Sequence, residues 1–204
     1  MLKLGNTYLN FGGTYLTNWE AMINPSFTET RIVNQTWMSE NLNIDDGLGG
    51  IYTKTVSFTH WPAHTEYYYT FEAAQRIANK IVGWHLPSKA EYETLISNIK
   101  TDDGPATNET VGRTLKSEWD WKANPGTIIA YYPDCRMYPV GMYDNAYFTP
   151  VSGFCCETEE AIFWTSTTAS EGRSYYFDLS YLDYDPYIGT QPNYEGCTVR
   201  LIKD

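Results

Sequence analysis

The chain has 204 residues, with 25 Asp and Glu against 14 Lys and Arg and a formal net charge of −11. So acidic a chain lacks the clustered cationic face that nucleic-acid phosphates or an anionic membrane surface require, and neither is expected as a partner. No apolar run approaches the roughly 18 to 20 residues of a membrane span, so direct membrane insertion is not expected, and residues 1–8 lack the apolar stretch of a secretory signal, so export by that route is not expected either.

Residues 1–30 mix short Tyr/Leu-rich strand patterns with Gly5-Asn6 and Gly12-Gly13 breaks and show no helical period. This predicts a small β arm, a candidate homo-oligomer contact, ahead of a main domain at residues 31–204. Residues 31–38 alternate large apolar with polar side chains, as a half-buried strand does, and residues 43–50 form a loop rich in Asp and Gly. Two helices follow. Across residues 71–82, Phe71, Ala74, Ile77, Ala78, Ile81 and Val82 share one face at the 3.6-residue period, with Thr70 as N-cap and Gly83 as the stop. The second helix opens on a Ser88-x-x-Glu91 capping box, carries Tyr92, Leu95, Ile96 and Ile99 as its apolar stripe, and ends before Asp102-Asp103-Gly104-Pro105. A shorter piece spans residues 110–116, weakened by Gly112. After Trp121 the pattern is β to the end, in runs at 126–132, 148–154, 161–167, 173–182 and 197–203. Early helices and late antiparallel strands predict an α+β domain in which two helices pack on one side of short antiparallel sheets.

The candidate binding residues lie in the C-terminal third. Aromatic residues make up 16 % of the chain, more than a core requires, so some of the tyrosines are expected at the surface. Between Trp164 and Gly196 stand six of the 18 tyrosines, interleaved with Asp, Ser and Asn. Along residues 175–180, Phe177 and Leu179 claim the inner face by alternation, which turns Tyr176, Asp178 and Ser180 outward. Asp183-Tyr184-Asp185-Pro186-Tyr187 has turn chemistry and is expected to present its rings on a loop, with Asn193 beyond it. Tyr among small polar neighbours is the composition of antibody paratopes, since Tyr gives contact area at low entropy cost. The expected ligand-binding set is therefore Tyr176, Asp178, Ser180, Asp183, Tyr184, Asp185, Tyr187 and Asn193.

The other candidates point away from chemistry. His85 is expected to hydrogen-bond a backbone group while Trp84 and Leu86 enter the core. His60 and His64 flank Trp61-Pro62 without the companion ligands of a metal site. Cys135, Cys155, Cys156 and Cys197 show no C-x-x-C spacing and are read as mainly reduced and buried. No paired carboxylates, Ser-His-Asp order or phosphate-binding Gly loop stands out, so neither an enzyme nor a cofactor is expected.

Five motifs carry a resemblance. Asn34-Gln-Thr-Trp-Met-Ser-Glu-Asn-Leu42, Gly83-Trp-His-Leu-Pro-Ser-Lys-Ala-Glu-Tyr-Glu-Thr-Leu95, Phe148-Thr-Pro-Val-Ser-Gly153, Phe163-Trp-Thr-Ser166 and Val199-Arg-Leu-Ile-Lys-Asp204 resemble the Fibrobacter succinogenes major paralogous domain over residues 28–204. The resemblance implies a C-type lectin-like fold. The segment 164–200 is similar to the variable region of diversity-generating retroelement proteins, such as phage tropism determinants, in which adenine-directed mutagenesis scatters Tyr, Asp, Ser and Asn over outward positions. Leu4-Gly-Asn-Thr-Tyr-Leu-Asn10 resembles short β motifs of tail-associated phage proteins. Together these imply a receptor-recognition protein of a phage virion or cell surface, whose partner is a host cell-surface protein or glycan. The alternative is a fixed-specificity bacterial adhesin or glycan-binding domain. Gln191-Pro192-Asn193 looks like a lectin calcium and sugar motif, but the Trp-Asn-Asp triplet that accompanies it in true lectins is absent. The formylglycine-generating enzymes share the broad fold and use C-terminal cysteines, yet no base flanks Cys155, Cys156 or Cys197.

Overall fold

The computed structural model describes residues 25–59, 62–101, 111–117, 120–122, 135, 137–147 and 151–204, and the backbone alone of 9–11 and 14–16. The expected strand at 126–132, the ends of the two later helical segments near 102–105 and 110, residues 148–150, and His60 with Trp61 lie outside the described residues.

Among the described residues the chain is mainly β, with strand residues outnumbering helical ones by more than two to one. Strands β1 (Leu9–Phe11) and β2 (Thr14–Leu16) pair as a hairpin in the predicted arm. The order then runs β3 (Glu29–Ile32), β4 (Gln35–Met38), β5 (Ile51–Val56), β6 (His64–Tyr69), α1 (Phe71–Ala78), β7 (Trp84–His85), α2 (Lys89–Thr101), α3 (Val111–Leu115), β8 (Met142–Asp144), β9 (Gly153–Cys155), β10 (Glu160–Ser170), β11 (Arg173–Ser180), β12 (Tyr187–Pro192) and β13 (Ile202–Lys203). The sheets are small: β10-β11-β12, β3-β4-β13-β7, and the pairs β5-β6 and β8-β9, every ladder antiparallel.

This overturns the expected α+β class with two helices packed on one side. Strand β10 explains why. Its stretch Ala161-Ile162-Phe163-Trp164-Thr165 is buried throughout, so it has no solvent face. Ala161 and Phe163 join Phe177, Leu179 and the α2 residues Tyr92, Leu95 and Ile99 in one core. Ile162 and Trp164 join the α1 residues Phe71, Ala74 and Ile77 in the other. The two longer helices thus serve opposite faces of one strand. Tyr92 stacks on Phe177 at 4.4 Å between centroids, and Phe71 meets Trp164 edge-on at 5.6 Å, geometries that aromatic pairs favour.

Local signals explain several elements. The Thr70 hydroxyl accepts from the Ala73 amide and caps α1. At the α2 start, the Ser88 amide donates to Glu91 at 2.7 Å and the Glu91 amide donates to the Ser88 hydroxyl at 3.2 Å, the reciprocal capping box. Helix α1 stops at Ala78, earlier than the apolar period suggested: Ile81 stays buried, but Val82 is exposed. The stretch expected as one strand over 31–38 is a hairpin, because Val33 takes a positive φ of 54° in the turn between β3 and β4. Trp84 and Leu86 are in the core as expected. His85 is not bonded to backbone. Its Nδ1 meets Asp204 and its Nε2 meets Glu91, both at 2.7 Å.

Replacing Ser88 with Ala removes one half of the capping box and is expected to lower the unfolding free energy by about 1 kcal/mol in urea denaturation. An unchanged midpoint would mean that the Ser88 hydroxyl adds nothing to the bonds Glu91 makes with the Ser88 amide and His85.

Candidate functional site

Two antiparallel registers define a single sheet face. Glu160 lies opposite Ser180, Ile162 opposite Asp178, and Trp164 opposite Tyr176; Asp178 in turn lies opposite Tyr187, and Tyr176 opposite Gly189. Directly paired residues share a face. Phe177 and Leu179 point the other way, into the α2 core, as the alternation predicts, but the expected outward turn of Tyr176 and Asp178 does not reach solvent: Tyr176 is half-buried and Asp178 buried.

The face carrying Tyr176 and Asp178 is not open to solvent. Met142 on β8, with Cys155 and Cys156 at the end of β9, covers its lower part and leaves a cavity of about 250 Å³. Its lining is Met142, Cys155, Cys156, Glu160, Ile162, Tyr176, Asp178 and Gln191. Two glycines permit this shape. A Cβ on Gly141 would stand 2.0 Å from the Cys155 carbonyl oxygen, so only glycine lets the cysteine segment cross so closely. A Cβ on Gly189 would come within 2.8 Å of the Tyr176 ring and 2.6 Å of the Tyr187 ring, so the bare backbone of β12 gives both rings their seat. These rings meet edge-on at 6.2 Å.

Asp178 stands out among the residues that line the cavity. It is 9 % exposed, and its Oδ1 is buried with no hydrogen-bond partner. Burial first, then the Glu160 charge, pushes its pKa up to about 8, against a smaller opposing pull from Lys116. Burial likewise raises Glu160, although its hydrogen bond with Cys156 lowers it in part. Lys116 reaches the same end of the sheet, where its Nζ donates to the carbonyls of Ser180 at 2.5 Å and Asp183 at 2.7 Å. Desolvation there lowers its pKa to about 8. The Cys156 thiol donates to the Cys155 sulfur at 3.2 Å, which lowers the Cys155 pKa and raises that of Cys156.

The eight expected ligand-binding residues do not form one cluster. Tyr176 and Asp178 line the cavity, while Tyr187 stands beside Tyr176 and is 60 % exposed. Ser180 sits at the Glu160 end of the same face. Asp183, Tyr184 and Asp185 lie in the β11–β12 loop, which is tied to the helices: the Tyr184 carbonyl accepts from the Gly112 amide at 2.7 Å, Arg113 lies over the Tyr184 ring, and Lys100 approaches Asp185 at 4.0 Å. Asn193 belongs to the opposite end, where its Oδ1 accepts from the Ser174 hydroxyl at 2.8 Å and its carbonyl accepts from the Phe71 amide. Gln191 is buried and its amide donates to the Cys197 sulfur.

Sequence reasoning passed over Glu160 and Met142, and it read Gln191 only within a lectin-like tripeptide and Cys155 and Cys156 as mainly buried thiols. All four cysteines are free thiols, but only Cys135 and Cys197 are buried; Cys155 and Cys156 are half-buried on the cavity wall. Their adjacency, and a lone Glu opening an apolar strand, were the available signals. Among the described residues no group of three or more His, Cys, Asp or Glu is placed to hold a metal ion, and no helix is long and apolar enough to cross a membrane.

The pH dependence of stability follows from the raised carboxyls. A group whose folded pKa is raised binds its proton more tightly in the folded state. Its contribution is full below the unfolded value and is lost as pH rises through the folded one. Asp178, raised to about 8, and Glu195, raised to about 7 by burial and Asp144, therefore both remove stability between about pH 4 and 8. The raised His85 acts in the same direction, and the lowered Lys116 opposes it only above about 8. The expected outcome is an unfolding free energy that declines across this window, with Asp178→Asn flattening the decline and more stable than wild type at its upper end. A variant with the wild-type slope would show that Asp178 is not buried as an acid.

Residues 30–203 match the Fibrobacter succinogenes major domain, and the chain belongs to that family. No curated protein and no solved structure matches it.

Proposed function

We propose that this member of the Fibrobacter succinogenes major domain family is a ligand-binding protein that recognises a host cell-surface protein or glycan through the face bearing Tyr176, Asp178 and Tyr187. The observation that carries the proposal is a cavity whose buried Asp178 oxygen has no partner, flanked by an exposed Tyr ring. A buried polar atom left unpaired costs about 1 to 3 kcal/mol, a cost that a ligand can remove. Binding rather than catalysis is the reading, carried by the unpaired Asp178 oxygen and the exposed Tyr187 ring.

The proposed setting is a phage tail or a bacterial cell surface. A retroelement origin is supported by the likeness of segment 164–200 to retroelement variable regions. The β11 alternation keeps Phe177 and Leu179, in the α2 core, apart from the face of Tyr176 and Asp178, but Tyr176 packs against the α1 core. A second reading, a fixed-specificity adhesin or glycan-binding domain, is favoured by the cavity itself. Five of its eight lining residues, Met142, Cys155, Cys156, Glu160 and Ile162, precede Trp164 and so fall outside that segment. A near-copy of the DNA encoding 164–200, differing at adenines and lying beside a reverse transcriptase gene, would decide for the retroelement; a single invariant sequence would decide for the adhesin.

Tyr176 supports the core and Tyr184 is held by Arg113, so the discriminating variant is Tyr187→Ala. On arrays of bacterial surface glycans and outer-surface proteins, wild type is expected to bind saturably and the variant at least about tenfold more weakly, as interface tyrosines often dictate. Its thermal midpoint is expected to stay within about 2 °C, because an exposed ring contributes little to folding. Equal binding by both would remove Tyr187 from the site.

A further inference from the structure

The cavity's walls differ in chemistry. Met142, Ile162 and the Tyr176 ring supply an apolar side, while Glu160 and Asp178 supply two carboxyls. Its volume of about 250 Å³ falls just below the range of about 300 to 1,000 Å³ typical of small-molecule sites, so it suits one slender chain rather than a drug-sized ligand.

We infer that the cavity takes an alkylammonium group, its methylenes along Met142, Ile162 and Tyr176 and its cationic head between Asp178 and Glu160. The inference rests on the reading of this face as a ligand site and adds the chemical class of what enters. Three observations bring it about. The Asp178 Oδ1 is an acceptor without a donor, and a buried acceptor calls for an N–H. The nearest lysine cannot serve, because the Lys116 ammonium is held by the Ser180 and Asp183 carbonyls. Tyr187 pairs with Asp178 across β11 and β12, which sets an aromatic side chain next to the carboxyl, and aromatic rings attract cations. The groups facing Asp178 are otherwise Glu160 and Asp183, so the net local charge without a ligand is acidic, and the chain's charge of −11 favours the approach of a cation. The raised pKa of Asp178 agrees: an enclosed carboxyl holds a proton until a cation takes its place.

An ammonium head can belong to a lysine side chain of a partner protein or to a free amine, and one titration series separates the sources. Isothermal titration of the whole chain at about pH 8 with n-pentylamine, Nα-acetyl-lysine amide and n-pentanol compares a free ammonium, a lysine side chain and a neutral chain of equal length. Both ammonium probes are expected to bind, and pentanol at least about tenfold more weakly. Tighter binding of the lysine amide points to a protein partner, and tighter binding of pentylamine to a free amine. Asp178→Asn, checked for folding by its thermal midpoint, is expected to weaken both ammonium probes at least about tenfold. Pentanol binding as well as pentylamine overturns the inference on the wild-type protein alone, as does ammonium binding indifferent to Asp178→Asn or no ammonium binding at all. If the inference fails while Tyr187→Ala still abolishes partner binding, the face remains a ligand site whose ligand is not an ammonium.

Discussion

Burial of β10 on both faces is the constraint from which the rest of the architecture follows. A strand with no solvent side must be covered twice, so one sheet separates two cores rather than resting on a single helical layer. Polar groups along it are met accordingly. The Trp164 indole donates to the Tyr69 carbonyl at 2.6 Å, the Thr165 hydroxyl to the Tyr175 carbonyl, and the Ser166 amide to the Pro87 carbonyl, which joins β6, β11 and the α2 entry to the same strand. Cover by α1 is centred on Trp164. Toward Asp178, among the described residues, the same face is covered by Met142 and the Cys155-Cys156 segment, and the cavity lies beneath them.

Several buried polar groups in the interior are matched. Arg200 is fully buried, yet its guanidinium donates to Asn41 and to the Cys135 carbonyl and lies over the Phe163 ring. Asn41 in turn donates to Glu66, and Glu66 meets His64. Asp46 is buried against Arg76 in a two-point contact. These charges are matched, as burial requires. Asp178, like Glu195, is buried with one oxygen unmatched, and of the two Asp178 lines the cavity, which is why function is placed there.

Local signals in the sequence were sufficient where the cause was local. Ser88 and Glu91 announced α2, Thr70 announced α1, and Phe177 with Leu179 announced which side of β11 faces the core. The β5-β6 hairpin and β12 went unseen because the ladder with a neighbouring strand defines them, not a pattern within either segment. Strand β12 reads as a loop, with Gly189 beneath two rings and Pro192 at its end, and an edge strand tolerates both. For the site, alternation correctly turned Tyr176 and Asp178 away from the α2 core. It could not show that Met142, Cys155 and Cys156, from distant strands, roof that face. Nor could it separate Asn193, which packs against Ser174 and the start of α1, from the residues that line the cavity.

The most direct test of the account is the titration of the Asp178 side-chain carboxyl carbon by carbon-13 NMR in the wild-type chain. An enclosed, unpaired carboxyl predicts a midpoint of about 8, moving downward when n-pentylamine is added. A midpoint near the ordinary value of about 4, unmoved by the amine, would mean that Asp178 is solvated or already paired, and would contradict the cavity as the binding site.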